Sequence, residues 1–199
     1  MFEILTVCTG NICRSPLAEL LLRERLADLP SQIHSAGTYG LDHAAMTREA
    51  QRLATLNGAA PEAAAAHRSR PLDESMLISP DLILVMAREH RRHVLELAPA
   101  RMRGTFTIRE FARLAVGAAD ADILAAADQA GPEASARLRA AAARVAARRG
   151  IASPPATPES DDVVDPYRRS WQTYELSASQ LVPAVDQVVR IVRLACSPG

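Results

Sequence analysis

Residues 2–22, Phe2-Glu3-Ile4-Leu5-Thr6-Val7-Cys8-Thr9-Gly10-Asn11-Ile12-Cys13-Arg14-Ser15-Pro16-Leu17-Ala18-Glu19-Leu20-Leu21-Leu22, decide the fold of this chain. Phe2 to Val7 reads as a buried strand and Leu17 to Leu29 as a helix, so Cys8 to Pro16 is a strand-to-helix loop. Such a loop aims successive backbone N–H groups at one point, and the helix dipole adds positive potential there, which makes an anion cradle. Gly10 and Asn11 are residue types that tolerate positive φ, as converging amides require. Ser15 is expected to cap the helix, with Pro16 at its first position.

Outward from that unit the pattern repeats. Gln32 to Ala36, Asp81 to Met86 and Thr105 to Ile108 read as strands; Met46 to Leu56 and Glu89 to Leu97 read as helices. The alternation predicts βαβ units and a parallel sheet. Leu82-Ile83-Leu84-Val85-Met86 lacks polar alternation, as a central strand covered on both faces would. Leu181, Val185, Val188, Val189, Val192 and Ala195 form one apolar stripe on a last helix that closes a face of the sheet. The chain is read as one domain over residues 1–199. Residues 114–160 form an Ala-rich helical insertion, and its Gly150, Pro154, Pro155 and Pro158 predict an extended, mobile connection. Arg137, Arg144 and Arg148 share a helix face there, either to dock an acidic partner or simply to meet solvent.

The 199 residues, 48% hydrophobic, suffice for one sizeable core. Lys plus Arg and Asp plus Glu each number 23, so net charge offers no case for nucleic acid or an anionic membrane. No apolar run reaches the length of a membrane span, and no leader precedes the first strand, so a cytoplasmic protein is expected. Three cysteines are too few for a disulfide scaffold and suit a compartment that keeps a thiol reactive.

In the loop a thiol comes first and a guanidinium six residues later. Cys8, among amide dipoles and Arg14, is expected to ionise and act as nucleophile. Arg14 can hold two equatorial phosphate oxygens bidentately, and the whole loop, Thr9, Gly10, Asn11, Ile12, Cys13, Arg14 and Ser15, is expected to bind phosphate. The Ser15 hydroxyl can donate to the departing thiolate. Displacement by sulfur leaves an oxygen that needs a proton, and Asp165 in Asp165-Pro166-Tyr167 is the expected acid, since Pro166 holds it extended on a stiff loop. Alone, Asp-Pro-Tyr reads rather as a turn after the acidic stretch Glu159 to Asp162. Tyr167, Ile12 and Tyr39 are expected to flank the substrate. Cys13 is either a small buried residue or a thiol able to protect Cys8 through a reversible disulfide.

With this loop and the Asp-Pro-Tyr motif, together with His34-Ser35-Ala36-Gly37-Thr38, His67-Arg68-Ser69-Arg70 and His90 after Asp81 to Met86, the chain resembles the low-molecular-weight protein tyrosine phosphatase family. The resemblance covers about the first hundred and the last forty residues. It implies a flavodoxin-like three-layer α/β fold with a four-stranded parallel sheet, and a phosphatase that acts on protein phosphotyrosine or a similar aryl monoester through a phosphocysteine. It implies no metal or cofactor, and a phosphorylated protein substrate such as a tyrosine kinase as partner. By the same resemblance Ser35 and His67 hold Asn11 in a strained conformation. The insertion and Arg168 depart from the family pattern, and both lie near the acid motif.

Phosphoarginine phosphatases and one class of arsenate reductases look similar over the loop. Ile12 is apolar where the phosphoarginine enzymes carry Thr. Arsenate reduction needs two further cysteines after the third strand, and this chain has only Cys196, in the last helix. A module that merely binds phosphate would not need all three chemical groups.

Overall fold

The computed structural model describes residues 1–39 and 41–197. Four strands, β1 (Phe2–Cys8), β2 (Ser31–Gly37), β3 (Leu82–Val85) and β4 (Thr105–Thr107), form one parallel sheet in the order β2-β1-β3-β4. The helices are α1 (Arg14–Arg25), α2 (Arg48–Leu56), α3 (Pro61–Ala66), α4 (Arg88–Leu97), α5 (Ile108–Val116), α6 (Asp120–Gln129), α7 (Ala134–Ala146) and α8 (Trp171–Cys196).

The sheet is buried on both faces, and its residues divide with the pleat. Leu82, Leu84 and Met86 join Phe2, Ile4 and Phe106 in the larger core, under α1, α5, α7 and α8. Ile83 and Val85 join Leu5, Val7 and Val94 in the smaller core, under α4. This is the three-layer α/β architecture expected. Because β1 connects to β2 on one side while β3 lies on the other, the carboxyl end of β1 sits where the strand order reverses. Cys8 ends that strand, paired with Gly37.

The start of α1 differs from expectation. The helix begins at Arg14, its cap position is Cys13, and no side chain caps it. Ser15 is already helical and its hydroxyl is engaged elsewhere; Pro16 is the third helical residue, where no intrahelical N–H bond is lost. Asn11 has φ 52°, whereas Gly10 is not among the positive-φ residues, so the left-handed turn falls on Asn11 alone.

The Ala-rich segment is built into the core. Ile123 and Ala127 of α6 and Leu138, Ala141, Ala142 and Val145 of α7 are buried in the larger cluster. The three arginines that share a helix face are used separately: Arg137 pairs with Asp128, Arg144 with Asp122, and Arg148 lies against Gly117. The connection after Gly150, expected to be mobile, is tied down by ion pairs. Arg88 holds Glu159 and Asp162, and Arg113 holds Asp161 at 2.7 Å. Among the described residues no helix is long and apolar enough to cross a membrane.

Candidate active site

Asn11 shapes the loop after β1. A left-handed non-glycine residue is costly unless its surroundings hold it, and here every polar atom of its side chain is bonded. The amide nitrogen donates to Ser35 Oγ at 2.7 Å and Ser15 Oγ at 3.0 Å, while Oδ1 accepts from the Arg70 N–H at 3.0 Å. Its backbone carbonyl meets His67 Nε2 at 2.8 Å and must accept, which places the imidazole hydrogen on Nε2. Ser35 in turn donates to Glu19 Oε2 at 2.5 Å. Ser35 and His67 therefore both touch Asn11. Glu19 and Arg70 complete the network without having been singled out beforehand. Glu19 had a readable signal, a carboxylate flanked by Ala18 and Leu20 on a helix face that proves buried.

The network also aims Ser15. Its Oγ lies 3.0 Å from Cys8 Sγ and already accepts from Asn11, which leaves its hydrogen to donate to an ionised sulfur. Cys8 is buried, at the floor of a cavity of about 310 Å³. Thr9, Gly10, Ile12, Cys13 and Arg14 line that cavity from the loop; Tyr39, Leu41, Asp165, Tyr167 and Arg168 line it from elsewhere in the chain. Asn11 and Ser15 act from behind this wall.

Arg14 reaches the cavity with its guanidinium almost fully buried. Nη1 donates to the Val163 carbonyl at 3.0 Å, and Nη2 lies 2.9 Å from Asp165 Oδ2. These two contacts bring the acid loop to the nucleophile loop across 151 residues of chain (165 − 14). The Asp165 side chain is half exposed, and its Oδ1 accepts from the Tyr167 N–H at 3.1 Å, so the carboxyl stands at the cavity's rim facing the guanidinium. Tyr167 and Tyr39 expose their rings there. Arg168 lies over the Tyr167 ring at 5.1 Å.

His90 has a part that no motif assigned. It is buried on α4, and its Nε2 lies 2.9 Å from Thr9 Oγ1, which also accepts from Arg14 Nη2 at 3.3 Å. Burial, reinforced by the charge of Arg14 and then of His93, pushes His90 down to about 3, so the ring is neutral. Glu89 Oε1 stands 3.5 Å from the same nitrogen, and the buried Nδ1 has no hydrogen-bond partner, so a hydrogen on Nε2 is used whereas one on Nδ1 would be stranded. Thr9 Oγ1 then accepts twice, and its own hydrogen is left for an anion in the cavity.

The Cys13 thiol has its own partners, with Sγ at 3.4 Å from Thr47 Oγ1 and 3.6 Å from the Tyr174 hydroxyl. Burial pushes its thiol up to about 11. It is thus a protonated thiol packed into the base of the loop. Cys196, at the end of α8, is also raised to about 11 by burial. Among the described residues no three His, Cys, Asp or Glu side chains converge as metal ligands would.

Residues 3–125 match the family described as low molecular weight phosphotyrosine protein phosphatase. The low molecular weight protein-tyrosine-phosphatase Etp of Escherichia coli K12 is 43% identical over 97 residues, 49% of this chain and 62% of that protein, so the chain aligns with under two thirds of its length. The protein-arginine-phosphatase of Geobacillus stearothermophilus is 32% identical over 123 residues, 61% of this chain and 76% of that protein. The crystal structure of the tyrosine phosphatase Wzb from Escherichia coli K30 with sulphate superposes with a TM-score of 0.63 at 25% identity, covering 95% of this chain and 97% of that one. Asp165 lies outside the residues that the family matches.

Proposed function

The chain belongs to the low molecular weight phosphotyrosine protein phosphatase family, and from that premise we propose that it hydrolyses protein phosphotyrosine, or a similar aryl phosphate monoester, through a phosphocysteine. The observation that carries this reading is the convergence of Cys8, Arg14 and Asp165 on one cavity, with Arg14 Nη2 2.9 Å from the carboxylate.

In the first step the Cys8 thiolate attacks phosphorus, an S–P bond forms, and the bond to the phenolic oxygen breaks with its electron pair on that oxygen. Asp165 supplies the proton this oxygen takes up. Arg14 and the loop amides bind the equatorial oxygens, where charge gathers in the transition state. In the second step Asp165, now a carboxylate, removes a proton from water as that water attacks phosphorus. The P–S bond breaks and sulfur leaves as thiolate, accepting the Ser15 hydroxyl hydrogen. Ile12, Tyr39 and Tyr167 flank a flat ring, and the apolar Ile12 favours an aryl ester over a guanidino phosphate. The substrate is a phosphorylated protein, with a tyrosine kinase as the expected class, and the compartment is the cytoplasm.

Purified protein assayed on phosphotyrosine, phosphoserine and phosphoarginine peptides tests the reading. Turnover of the tyrosine peptide that Cys8→Ser abolishes is expected, with vanadate binding retained. Activity confined to the arginine peptide, the substrate class in the name of the Geobacillus relative, would replace the aryl ester as substrate.

A further inference from the structure

The connection from α7 to the acid loop builds a groove of about 550 Å³ against α5, lined by Arg109, Arg113, Gly117, Arg148 and the run Ser153 to Ala156. Its charge is unbalanced. Arg113 is neutralised by Asp161, but neither Arg109 nor Arg148 has an acidic partner among the described residues. Arg109 donates only to the Asp162 carbonyl, and Arg148 Nε is a buried nitrogen without a hydrogen-bond partner. Gly117 makes room for the second guanidinium, since a Cβ there would lie 2.2 Å from Arg148 Nη2. The glycine has an ordinary backbone conformation, with φ −89°, so space and not torsion explains it. A cation without an acidic partner, held in a shaped recess, is suited to an anion.

The groove and the catalytic cavity are joined through the acid loop: Asp161 in the groove wall is four residues from Asp165 in the cavity, a separation of at most about 14 Å, and the stretch of α5 from Arg109 to Gly117 adds about 12 Å. With the side-chain contacts that join these segments added, an anion on Arg148 is within about 40 Å of the acid, the reach of about twelve extended residues or fewer.

We propose that this groove is a second subsite that docks a carboxylate or phosphate group carried by the phosphoprotein substrate, within about twelve residues of the phosphotyrosine. The subsite rests on the phosphatase reading for its substrate; Arg109 and Gly117 lie within the family match, while Arg148 and the wall from Ser153 to Ala156 lie beyond it. Its source of affinity is the Arg148 guanidinium, which has no acidic partner among the described residues; Pro154 and Pro155 stiffen the facing wall.

The test uses the full chain and peptides that share one phosphotyrosine and differ at two places, about six and about twelve residues away, where they carry neutral residues, two Asp, or two phosphoserines. The acidic and phosphorylated peptides should show a KM up to about five-fold lower than the neutral one, with kcat unchanged, the size of one good surface charge pair. Arg148→Gln should remove that advantage and Arg148→Lys keep most of it, while p-nitrophenyl phosphate turns over equally in all three proteins. An advantage in one acidic arm alone identifies the group the groove takes. Equal KM for all three peptides, or an advantage that survives Arg148→Gln, overturns the subsite. Failure to turn over p-nitrophenyl phosphate would instead overturn the phosphatase reading. Anisotropy titration of the labelled peptides reads the groove independently of turnover, and equal affinity for the parent and Arg148→Gln proteins sinks it there too.

Discussion

At the scale of the residue, chemistry depends on which atoms hold hydrogens. Asp165 faces Arg14 from the rim of the cavity, so Asp165→Asn should slow a phenolate leaving group by about 10²-fold or more and an activated nitrophenolate far less. A plot of log kcat/KM against leaving-group basicity checks this, and an unchanged slope would remove Asp165 from the acid role. His90 acts through Thr9. Replacing it with Phe keeps volume but loses the bond at 2.9 Å, and kcat/KM should fall about three- to ten-fold, the worth of one hydrogen bond. His90→Gln, which can restore a donor, should recover most of that loss. A purely space-filling histidine would give the reverse order, with Phe the better replacement.

At the scale of the element, α1 is started by its loop and not by a cap. The hydroxyl that sequence logic assigns to capping is spent on Cys8, so a helix end is left without side-chain support in exchange for a placed donor. The hairpin α6–α7 makes a second case. Leu138 and Val145 are fully buried against the sheet's larger core, in contact with α8. Leu138→Ala should lower global stability by about 2–5 kcal/mol in a single cooperative urea transition. A separate early transition, with the catalytic unit untouched, would mark the hairpin as an appended lobe.

At the scale of the whole molecule, burial of titratable groups sets a pH window. His90 is neutral in the folded protein down to about 3 but ionises near 6.5 when unfolded, so between those values the unfolded chain binds the extra proton. Stability is thus undiminished above pH 6.5 and falls below it, by up to about 1.4 kcal/mol per pH unit from this residue. Burial lowers His34 also and adds to the slope. On the alkaline side Cys13 stays protonated to about 11 when folded but ionises near 9.0 when unfolded, so stability falls again as pH rises through that interval. Urea midpoints measured across pH 4 to 11 should form a plateau between about 6.5 and 9, and His90→Gln should flatten the acid flank. An acid flank unchanged in that variant would separate His90 from the effect.

Sequence by itself determined the parts that are local. The period of Leu82 to Met86 and the sulfur, glycine, asparagine and guanidinium between β1 and α1 are written within a few residues of one another. Local geometry predicts from them a parallel sheet and a strand-to-helix cradle, while the left-handed turn at Asn11 is held by Ser35, His67 and Arg70 from elsewhere in the chain. The tertiary structure decided what needs distant chain. Asp-Pro-Tyr taken alone reads as a turn; its place beside the nucleophile loop comes from Arg14 bonding both Val163 and Asp165. Arg148 looked like one of three equivalent surface charges until Asp128 and Asp122 took its neighbours and left it alone beside Gly117. His90 was visible as a letter and acquired a task only when α4 brought it against Thr9. The physical reason is common to all three: a side chain's charge and hydrogen-bonding state is set by the groups packed within a few ångströms, and those groups come from anywhere in the chain.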